Sequence, residues 1–361
     1  MNKKQNGKNT AIWGPDEWPA ETFFCISVSK DGKTVKQDGK HYKEFKELVD
    51  SAAISWVNCC IDDVADNIEN IARHFGFGKE LARDLLTHKS SAYVDMGSEL
   101  GLLLPAVKVR NLLVHVSPIY LLIRKNLVLS VHSRRVTRWI NFFNYAETFM
   151  RKIPPNALFN DKITMILIRL LGKNDEKNFE NLRIIEEEGD KINRMLINSD
   201  SPRIKLGDEI YRMKHALISY LGALWASMDV VNSLRYGDSE LVTDDPVLLK
   251  EIGVIAGDLT NHLSLAEHMS EVLASGLEVL QSIYNNQLQV LNNKLSLTIT
   301  WLTVLGTAVL VPNTLATIYG IPAISEHANW QDIMVILAAS TIISAVAAYL
   351  IIKRMLPKKV E

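Results

Sequence analysis

Two long uncharged apolar runs near the end of the chain restrict its fold more than any other feature. Leu297–Tyr319 and Ile333–Ile352 contain no Asp, Glu, Lys or Arg. Each has about twenty residues, which as a helix with a rise of 1.5 Å per residue spans the ~30 Å hydrocarbon core of a bilayer. A buried core helix also explains one such run, but two neighbouring runs after a polar chain favour membrane spans.

Positive charges predict how the two spans are oriented in the membrane. Lys353, Arg354, Lys358 and Lys359 follow the second run, whereas residues 321–332 contain neither Lys nor Arg. We therefore expect the connecting loop outside the cell and both termini in the cytoplasm, in a multi-pass protein of the plasma membrane. The opening residues, MNKKQNGKNT, lack the apolar core of a signal peptide.

The composition argues against several classes of function. Forty basic and 41 acidic side chains balance, without the basic stripe that is typical of nucleic-acid binding. The three cysteines include the neighbours Cys59 and Cys60 but form no CxxC pair, so we predict inert thiols rather than a disulfide framework or metal knuckle. The chain has no GxxxxGK[ST] phosphate loop and no nucleophile motif. We expect neither an enzyme nor a resident cofactor.

Upstream of the spans, mixed α/β patterns give way to helical ones. FFCISV, SWVNCCI and the stretch LGLLLPAV to LVLSVH are typical of strands, with RKN as a turn. Asp62–Phe75 has the period of a helix, with Asp62 as its N-cap. Long helices are predicted at Asp161–Asn198, at Ile204–Arg235 and from Pro246. The predicted segments are a flexible N-terminus (1–20), a cytosolic α/β domain (21–155), a helical stalk (156–296), a pore-lining span (297–320), an outer loop (321–332), a second span (333–352) and a basic cytosolic tail (353–361).

The last long helix carries two adjacent stripes before it reaches the first span. Apolar side chains recur in steps of three and four residues, the spacing of a coiled-coil seam. Beside them runs a stripe of uncharged polar side chains, which can line a wet pore without holding a cation permanently. The apolar seam is Leu277, Leu280, Tyr284, Leu288, Leu291 and Leu295, and the polar stripe is Gln281, Asn285, Gln289, Asn292 and Ser296.

Inside the span, the continuation of the polar stripe becomes apolar and then polar again. Ile299, Leu302 and Leu310 would form an apolar section, which suits a gate that closes by dewetting. Asn313 is costly in hydrocarbon unless it faces water or a partner. Pore lining and helix–helix contact both account for Asn313 and Thr317. Because one chain has one such stripe, a pore requires several copies in a closed ring.

With these residues in place, the chain resembles the CorA family of divalent-cation channels. The resemblance implies an α+β membrane protein with an N-terminal cytosolic α/β domain, long stalk helices and two C-terminal transmembrane helices, assembled as a funnel-shaped homopentamer. It also implies Mg2+ as the transported and regulatory ion, with Co2+, Ni2+ or Zn2+ in some members. The matching segments are NNKLSLTITWLT, PNTLATIYG, SEHANW and IIKRMLPKK, and upstream SWVNCCIDDVADNIENIARHFGFGKELARDLLTH and VHVSPIYLLIRKNLVLSVH.

The resemblance also assigns roles within the first span. Ile299, Leu302 and Leu310 fall at the hydrophobic constriction of the family. Asn313, Thr317 and Gly320 fall at its polar pore positions near the outer mouth. The assigned pore and selectivity residues are Asn313, Thr317, Gly320, Ile321 and Pro322.

At the mouth this sequence departs from the family pattern. Most members have Gly-Met-Asn where this chain has Gly320-Ile321-Pro322, so Pro322 replaces an amide that holds a hydrated ion. The ring of Gly320 carbonyls and the deeper Asn313 amide remain, and Mg2+ binds well through its retained waters. The loop side chains expected to attract cations, or simply to be solvated, are Glu326, His327 and Asp332.

Gating in the family uses cytosolic Mg2+ that bridges carboxylates of neighbouring subunits, so bound ion stabilises the closed ring. Asp95 and Glu99 in the α/β domain and Asp258 on the long helix are the candidates here. The stretch DLTNH resembles the acidic stretch of the family, with Asn261 where a second Asp is often found.

Three alternatives stay open from the residues alone. The channel could carry Zn2+, Co2+ or Ni2+ rather than Mg2+. A membrane-anchored coiled-coil sensor explains the long helix and the spans, but not the polar positions Asn313 and Thr317. An enzyme tethered to the membrane predicts paired catalytic groups in a cleft, which the sequence does not show. The expected partners are further copies of this chain, the lipid bilayer and divalent cations, with no nucleic acid.

Overall fold

The strands of the first half of the chain form one seven-stranded sheet in the order β2-β1-β3-β7-β6-β5-β4. In this computed structural model, which describes residues 21–197, 203–321 and 329–355, β3 and β7 run parallel and the other neighbouring strands run antiparallel. The strands are β1 (Thr22–Ser29), β2 (Thr34–Gly39), β3 (Ala52–Ile61), β4 (Ala92–Asp95), β5 (Leu100–Arg110), β6 (Leu113–Arg124) and β7 (Leu127–Ser133).

Helices account for most of the remaining described residues. The chain divides into two compact units between Leu277 and Glu278. The helices are α1 (Lys46–Ser51), α2 (Val64–His74), α3 (Lys79–Thr87), α4 (Arg138–Met150), α5 (Phe159–Ile197), α6 (Arg203–Tyr236), α7 (Pro246–Tyr319) and α8 (Trp330–Met355).

Helices cover both faces of the sheet in the first unit. The apolar sides of α2 and α3 join Cys25 and Cys59 in one hydrophobic cluster. On the opposite face, Phe143 of α4 stacks on Phe24 with ring centroids 4.1 Å apart. Side chains alternate between the two faces of a strand, so the nearly unbroken apolar runs of β1 and β3 reflect burial on both sides.

The three cysteines lie in these cores as free thiols. Burial raises the pKa of Cys25 to about 12 and that of Cys60 to about 11, and it also raises the pKa of Cys59. All three therefore stay protonated at neutral pH, which agrees with the prediction of inert thiols.

A row of asparagines on α5 satisfies the free edge of β5. Because β4 pairs only with the Leu100–Leu103 part of β5, the backbone groups farther along β5 have no strand neighbour on that side. Steps of four and three residues place the asparagines on one face of α5. Asn174 donates to the Pro105 carbonyl (3.1 Å), Asn178 accepts from the Val107 amide (3.0 Å), and Asn181 accepts from the Val109 amide (2.8 Å).

The predicted strands and long helices are confirmed, with corrections in the first unit. The prediction missed β2 and β4, which are short edge strands. It was also wrong about the start of α2, whose N-cap residue is Asp63 and has no side-chain cap. Asp62 instead forms an ion pair with Arg134 from the end of β7, because its carboxylate lies one residue too early to reach the first helical amides.

In the second unit, α7 continues without interruption through Pro312 to Tyr319, and α8 follows residues 322–328, which lie outside the described range. Eight residues of α7 are buried, and the last of them is Leu273. The described part of α7 beyond that point has no buried side chain.

Three helices are long and apolar enough to cross a membrane by length and composition, namely α6, α7 and α8. In α6, 56% of its apolar 18-residue stretch is buried, whereas none of the corresponding stretch is buried in α7 or α8. The apolar side of α6 packs on β5 and β6. The apolar composition of α6 is therefore explained by the core of the first unit. The predicted domain boundaries, including those at residues 155 and 296, all stay predictions.

Candidate functional site

The predicted pore residues of the first span share one face of α7. Successive residues of an α-helix are rotated by about 100°, so the five side chains fall within an arc of about 80°. Three of them are large apolar side chains that are about two-thirds exposed, at 63% for Ile299 and 65% each for Leu302 and Leu310. This pore face, defined by Ile299, Leu302, Leu310, Asn313 and Thr317, is uncovered in the single chain.

Helix α8 faces a different side of α7. The two helices border a groove of about 410 Å3. The centre of its α7 wall lies about 120° around the helix from the pore face, so α8 leaves the pore face free. The α7 wall is formed by Trp301, Leu305, Ala308, Val309 and Pro312, and the α8 wall by Thr341, Ala345, Ala348 and Tyr349.

Thr317 presents its hydroxyl oxygen as an acceptor. Its O–H donates to the Asn313 carbonyl at 2.8 Å, which uses the one proton that the side chain can donate. Thr303, Thr307 and Thr314 make the same bond to the carbonyl four residues earlier. On the pore face, the remaining lone pairs of Thr317 suit the hydrogens of water around a cation.

Asn313 is the polar side chain next to the apolar part of the pore face. It is exposed, and within the described residues no hydrogen bond satisfies its amide. An unsatisfied amide at membrane depth is costly, so it requires water or a neighbouring chain. One residue earlier, Pro312 lacks the N–H that would bond to the Ala308 carbonyl, although the helix continues through this position.

The end of α7 supplies backbone oxygens at one end of the pore face. Gly320 N–H bonds to the Ala316 carbonyl at 3.0 Å, and Ile321 N–H bonds to the Ile318 carbonyl at 3.2 Å. The last carbonyls of a helix have no amide partner farther along the helix. At the end of α7 these oxygens lie at the negative end of the helix dipole. Such an end attracts cations.

The other predicted mouth residues are only partly described. Ile321 is exposed, and Asp332 is exposed in the first turn of α8. Pro322, Glu326 and His327 lie outside the described residues, so their predicted roles stay predictions.

The polar stripe below the span is fully exposed in the single chain. Gln281, Asn285, Gln289, Asn292 and Ser296 all face solvent. The neighbouring apolar seam is uncovered as well, with Leu291 at 55% and Leu295 at 60% exposure. Both stripes are thus available to other copies of the chain.

The structure gives two of the predicted regulatory carboxylates local roles. Asp95 accepts from the Gly97 amide at 2.8 Å within the β4–β5 turn. Both oxygens of Glu99 lie 3.0 Å from the Gly78 amide, at the start of α3. Asp258 is exposed on α7. Within the described ranges, no three His, Cys, Asp or Glu side chains gather in a way that could hold a metal ion.

Sequence reasoning missed a pair that joins α5 to α7. His262 Nδ1 lies 3.1 Å from the carboxylate of the buried Asp175, and its ring stacks on Phe179 with centroids 4.3 Å apart. The pair fixes the part of α7 that belongs to the first unit. The partners are 87 residues apart in sequence, so no local pattern could reveal the contact.

The chain has detectable similarity to one protein family. A family model described as "CorA-like Mg2+ transporter protein" matches residues 51–354, which include strands β3 to β7, the long helices and both candidate spans. No curated protein sequence matches the chain.

Solved structures share the fold at low sequence identity. The complete CorA magnesium transporter of Methanocaldococcus jannaschii aligns with a TM-score of 0.65 and 17% identity, covering 93% of this chain and 99% of that one. The full-length CmaX protein aligns with a TM-score of 0.60 and 15% identity, covering 92% and 97%. The ZntB cytoplasmic domain of Vibrio parahaemolyticus aligns with a TM-score of 0.55 and 13% identity, covering 74% and 100%.

Proposed function

This chain belongs to the CorA-like Mg2+ transporter family, and from that premise we propose that it forms a homopentameric channel for divalent cations, most of all Mg2+. The observation that carries the proposal is the uncovered pore face of α7. This face combines apolar side chains at Leu302 and Leu310 with polar oxygens at Asn313 and Thr317. Helix α8 lies behind it, so only further copies of α7 can close a tube around it.

The proposed selectivity region binds a hydrated ion. Mg2+ gives up its waters reluctantly, and the Asn313 amide and the Thr317 hydroxyl can accept hydrogen bonds from those waters. Carbonyls at the end of α7, chiefly that of Gly320, would form the outer ring. Because Pro322 offers no amide, we expect weaker ion capture at the mouth than in members with Gly-Met-Asn, and Zn2+, Co2+ or Ni2+ is the alternative cargo.

The proposed gate is the apolar section of the same face. A narrow ring of Ile299, Leu302 and Leu310 side chains excludes water and so blocks ions without a plug. When the ring widens, the membrane potential drives inward flow, with roughly 4.6 kcal/mol for a divalent ion at 100 mV. No energy from ATP is required for this movement.

The proposed control is by cytosolic divalent ion bound between subunits. Asp258 is exposed on α7, whereas Asp95 and Glu99 would have to exchange their amide partners for the ion. A bridging ion would stabilise the closed ring, and its loss would shift the population towards the open ring.

The proposed arrangement in the membrane has two spans, the end of α7 and α8, in the plasma membrane with both termini in the cytoplasm. The uncovered apolar surfaces of α7 and α8 support it, as do Lys353 and Arg354 at the end of α8.

Flux into proteoliposomes tests the proposal. The purified full chain should carry Mg2+ down a potential, and a panel with Co2+, Ni2+ and Zn2+ ranks the ions. Asn313→Ala should change the ranking or the rate, whereas Thr314→Ala, next along the helix but off the pore face, should not. Native mass spectrometry should give five copies. Failure to carry any divalent ion would exclude the channel.

A further inference from the structure

A groove on the first unit lies between the end of α3, the β5–β6 hairpin and α6. Its volume is about 260 Å3. A Cβ built at Gly222 would meet no atom within 4 Å, so α6 leaves open space there. The residues used below are Lys89, Pro105, Val116, Pro118, Ile218 and Gly222.

The rim of this groove is unusually apolar for a surface. Val116 is 45% exposed and Ile218 is 58% exposed. Trp225 is 56% exposed and follows Gly222 by three residues, so it shares a face of α6 with Gly222 and Ile218. A contiguous exposed patch that includes a Trp marks a surface that binds something.

The strand register places the two prolines of this groove in the same row of the sheet as the residue before β1. Five residues form one row across the sheet through successive pairs, namely Thr22, Cys60, His132, Ile119 and Leu104. The next row of the sheet lies on the side where the chain enters β1. In this row, Pro118 of β6 pairs with Pro105 of β5. Glu21 is thus level with the prolines of the groove.

The preceding residues are long enough to reach it. Strands lie about 4.8 Å apart, so β6 is about 14 Å and β5 about 19 Å from β1 across the sheet. Trp13 precedes Glu21 by eight residues, which in an extended chain span up to about 26 Å. Trp18, only three residues before Glu21, reaches no farther than about 10 Å.

The chemistry of the first twenty residues matches that of the groove. They are polar except for a short segment with Ile12, Trp13 and Trp18, and Trp side chains have the largest apolar area to bury. Asp16 lies three residues from Trp13. Lys89 at the rim forms no ion pair within the described part of the chain, so it is available to this acidic side chain.

We infer that residues 12–18 (IWGPDEW) bind in the groove of their own chain, with Trp13 in the open space at Gly222. The segment would cover the exposed patch of α6 and tie this helix to the strand ends of the sheet. This is an intramolecular contact, and a second copy of the chain is the competing occupant of the same patch.

Photo-crosslinking from position 13 tests the inference. The full-length protein in liposomes carries benzoylphenylalanine in place of Trp13 and is assembled from a mixture of isotopically heavy and light chains. We expect crosslinks to residues 218–223 or 116–118, within light or within heavy chains. Mixed heavy–light crosslinks, crosslinks to other regions or no crosslinks would overturn the inference.

Filling the groove provides the matched control. Gly222→Leu should lower the crosslink yield about tenfold, as expected for the loss of about 1.4 kcal/mol of binding. Gly207→Leu places the same side chain on the same helix, where the added Cβ also meets open space, and should leave the yield unchanged. Ile218→Ser serves if Gly222→Leu fails to fold, and should also lower the yield. Equal yields in the groove variants and the Gly207→Leu control would overturn the inference.

Discussion

The two units of the chain differ in how far they bury their own apolar side chains. The first unit buries its apolar residues against its own sheet and helices, and asparagines of α5 bond the part of β5 that β4 leaves unpaired. Among the described residues of the second unit, Ile333 is the one buried hydrophobic side chain, at 8% exposure. The first unit therefore covers most of its apolar side chains by itself, whereas the described apolar side chains of the second unit stay largely uncovered in the single chain.

Helix α7 has a buried part and an exposed part, so both situations occur within one helix. Its buried positions, from Leu248 to Leu273, recur at helical spacing against the first unit. Beyond Leu273 no described side chain of α7 is buried, although Trp301 and Leu305 border the groove shared with α8. One continuous helix thus contributes buried core residues up to Leu273 and exposed apolar residues after it.

Polar groups show the same contrast. In the first unit, Arg138 is buried and donates to the Asn174 carbonyl, to the side chains of Asn174 and Asn178, and to the Val107 carbonyl, at 2.6–3.1 Å. In the second unit, threonines such as Thr303 and Thr307 satisfy their hydroxyls on their own helix. Tertiary polar contacts therefore hold the first unit together, whereas the threonine hydroxyls of the second unit bond within their own helix.

The largest expected effect comes from removing the tertiary polar contacts. Arg138→Met removes four hydrogen bonds from a buried guanidinium and leaves the side-chain oxygen of Asn174 without this donor, which should destabilise the first unit by about 4 kcal/mol. Urea unfolding of the full chain, followed by hydrogen exchange in β5 and α5, measures it. Arg151→Met removes an exposed ion pair to Glu147 and should cost less than about 1 kcal/mol. Equal costs for the two variants would show that the buried contacts of Arg138 stabilise the first unit no more than an exposed ion pair does.

A pH titration should also distinguish the first unit. Burial lowers the pKa of His132 to about 4, whereas an unfolded His titrates near 6.5. Between these values the unfolded chain binds a proton that the folded chain does not, so stability falls as pH is lowered, by about 3 kcal/mol in total. Burial also lowers the pKa of His74 and of His115, which adds to the same slope.

His132→Gln should therefore reduce the dependence of the urea midpoint on pH between 6.5 and 4 without abolishing it. The hydrogen exchange of α7 beyond Leu277 should not follow this titration. A variant with the slope of the original chain would show that His132 is not the group responsible.

The sequence predicted those parts of the fold whose signal is local. Continuous apolar runs identified β3, β5 and β7, and the 3.6-residue period identified the long helices. The strand β2 reads TVKQDG and pairs only with β1, so it has little apolar pattern. The strand β4 has four residues. Short edge strands such as these are set by their neighbours rather than by their own residues.

In the candidate site too, residues placed by local spacing could be predicted and contacts between distant elements could not. The pore face follows from residue spacing on one helix, and the structure keeps its members on one face. The local uses of Glu99, which caps α3 from 21 residues away, and of Asp175, which pairs with His262, depend on how distant elements pack. Such contacts are invisible to periodicity, which is why the regulatory candidates rest on resemblance alone.

A smaller effect should appear in transport rather than in folding. Leu310→Asn puts an amide into the proposed dewetting gate and should raise the leak of Mg2+ at high cytosolic Mg2+ about tenfold. Val311→Asn makes the same change one residue on, about 100° around the helix, and should not. Because both residues are exposed in the single chain, neither variant should alter the urea midpoint of the first unit. Equal leaks would remove the distinction between the pore face and the rest of α7.

The smallest expected effect concerns one oxygen on the pore face. Thr317→Val keeps the shape of the side chain but removes the acceptor that faces the proposed ion path, so Mg2+ flux should fall about two- to threefold, the loss of one water-mediated hydrogen bond. Thr314→Val deletes a hydroxyl with the same bond to its own helix, off the pore face, and should leave flux unchanged. Flux is measured in proteoliposomes at equal protein density. If both variants transport like the original chain, Thr317 contributes to the helix alone, and the second unit has one polar contact fewer with the ion than proposed.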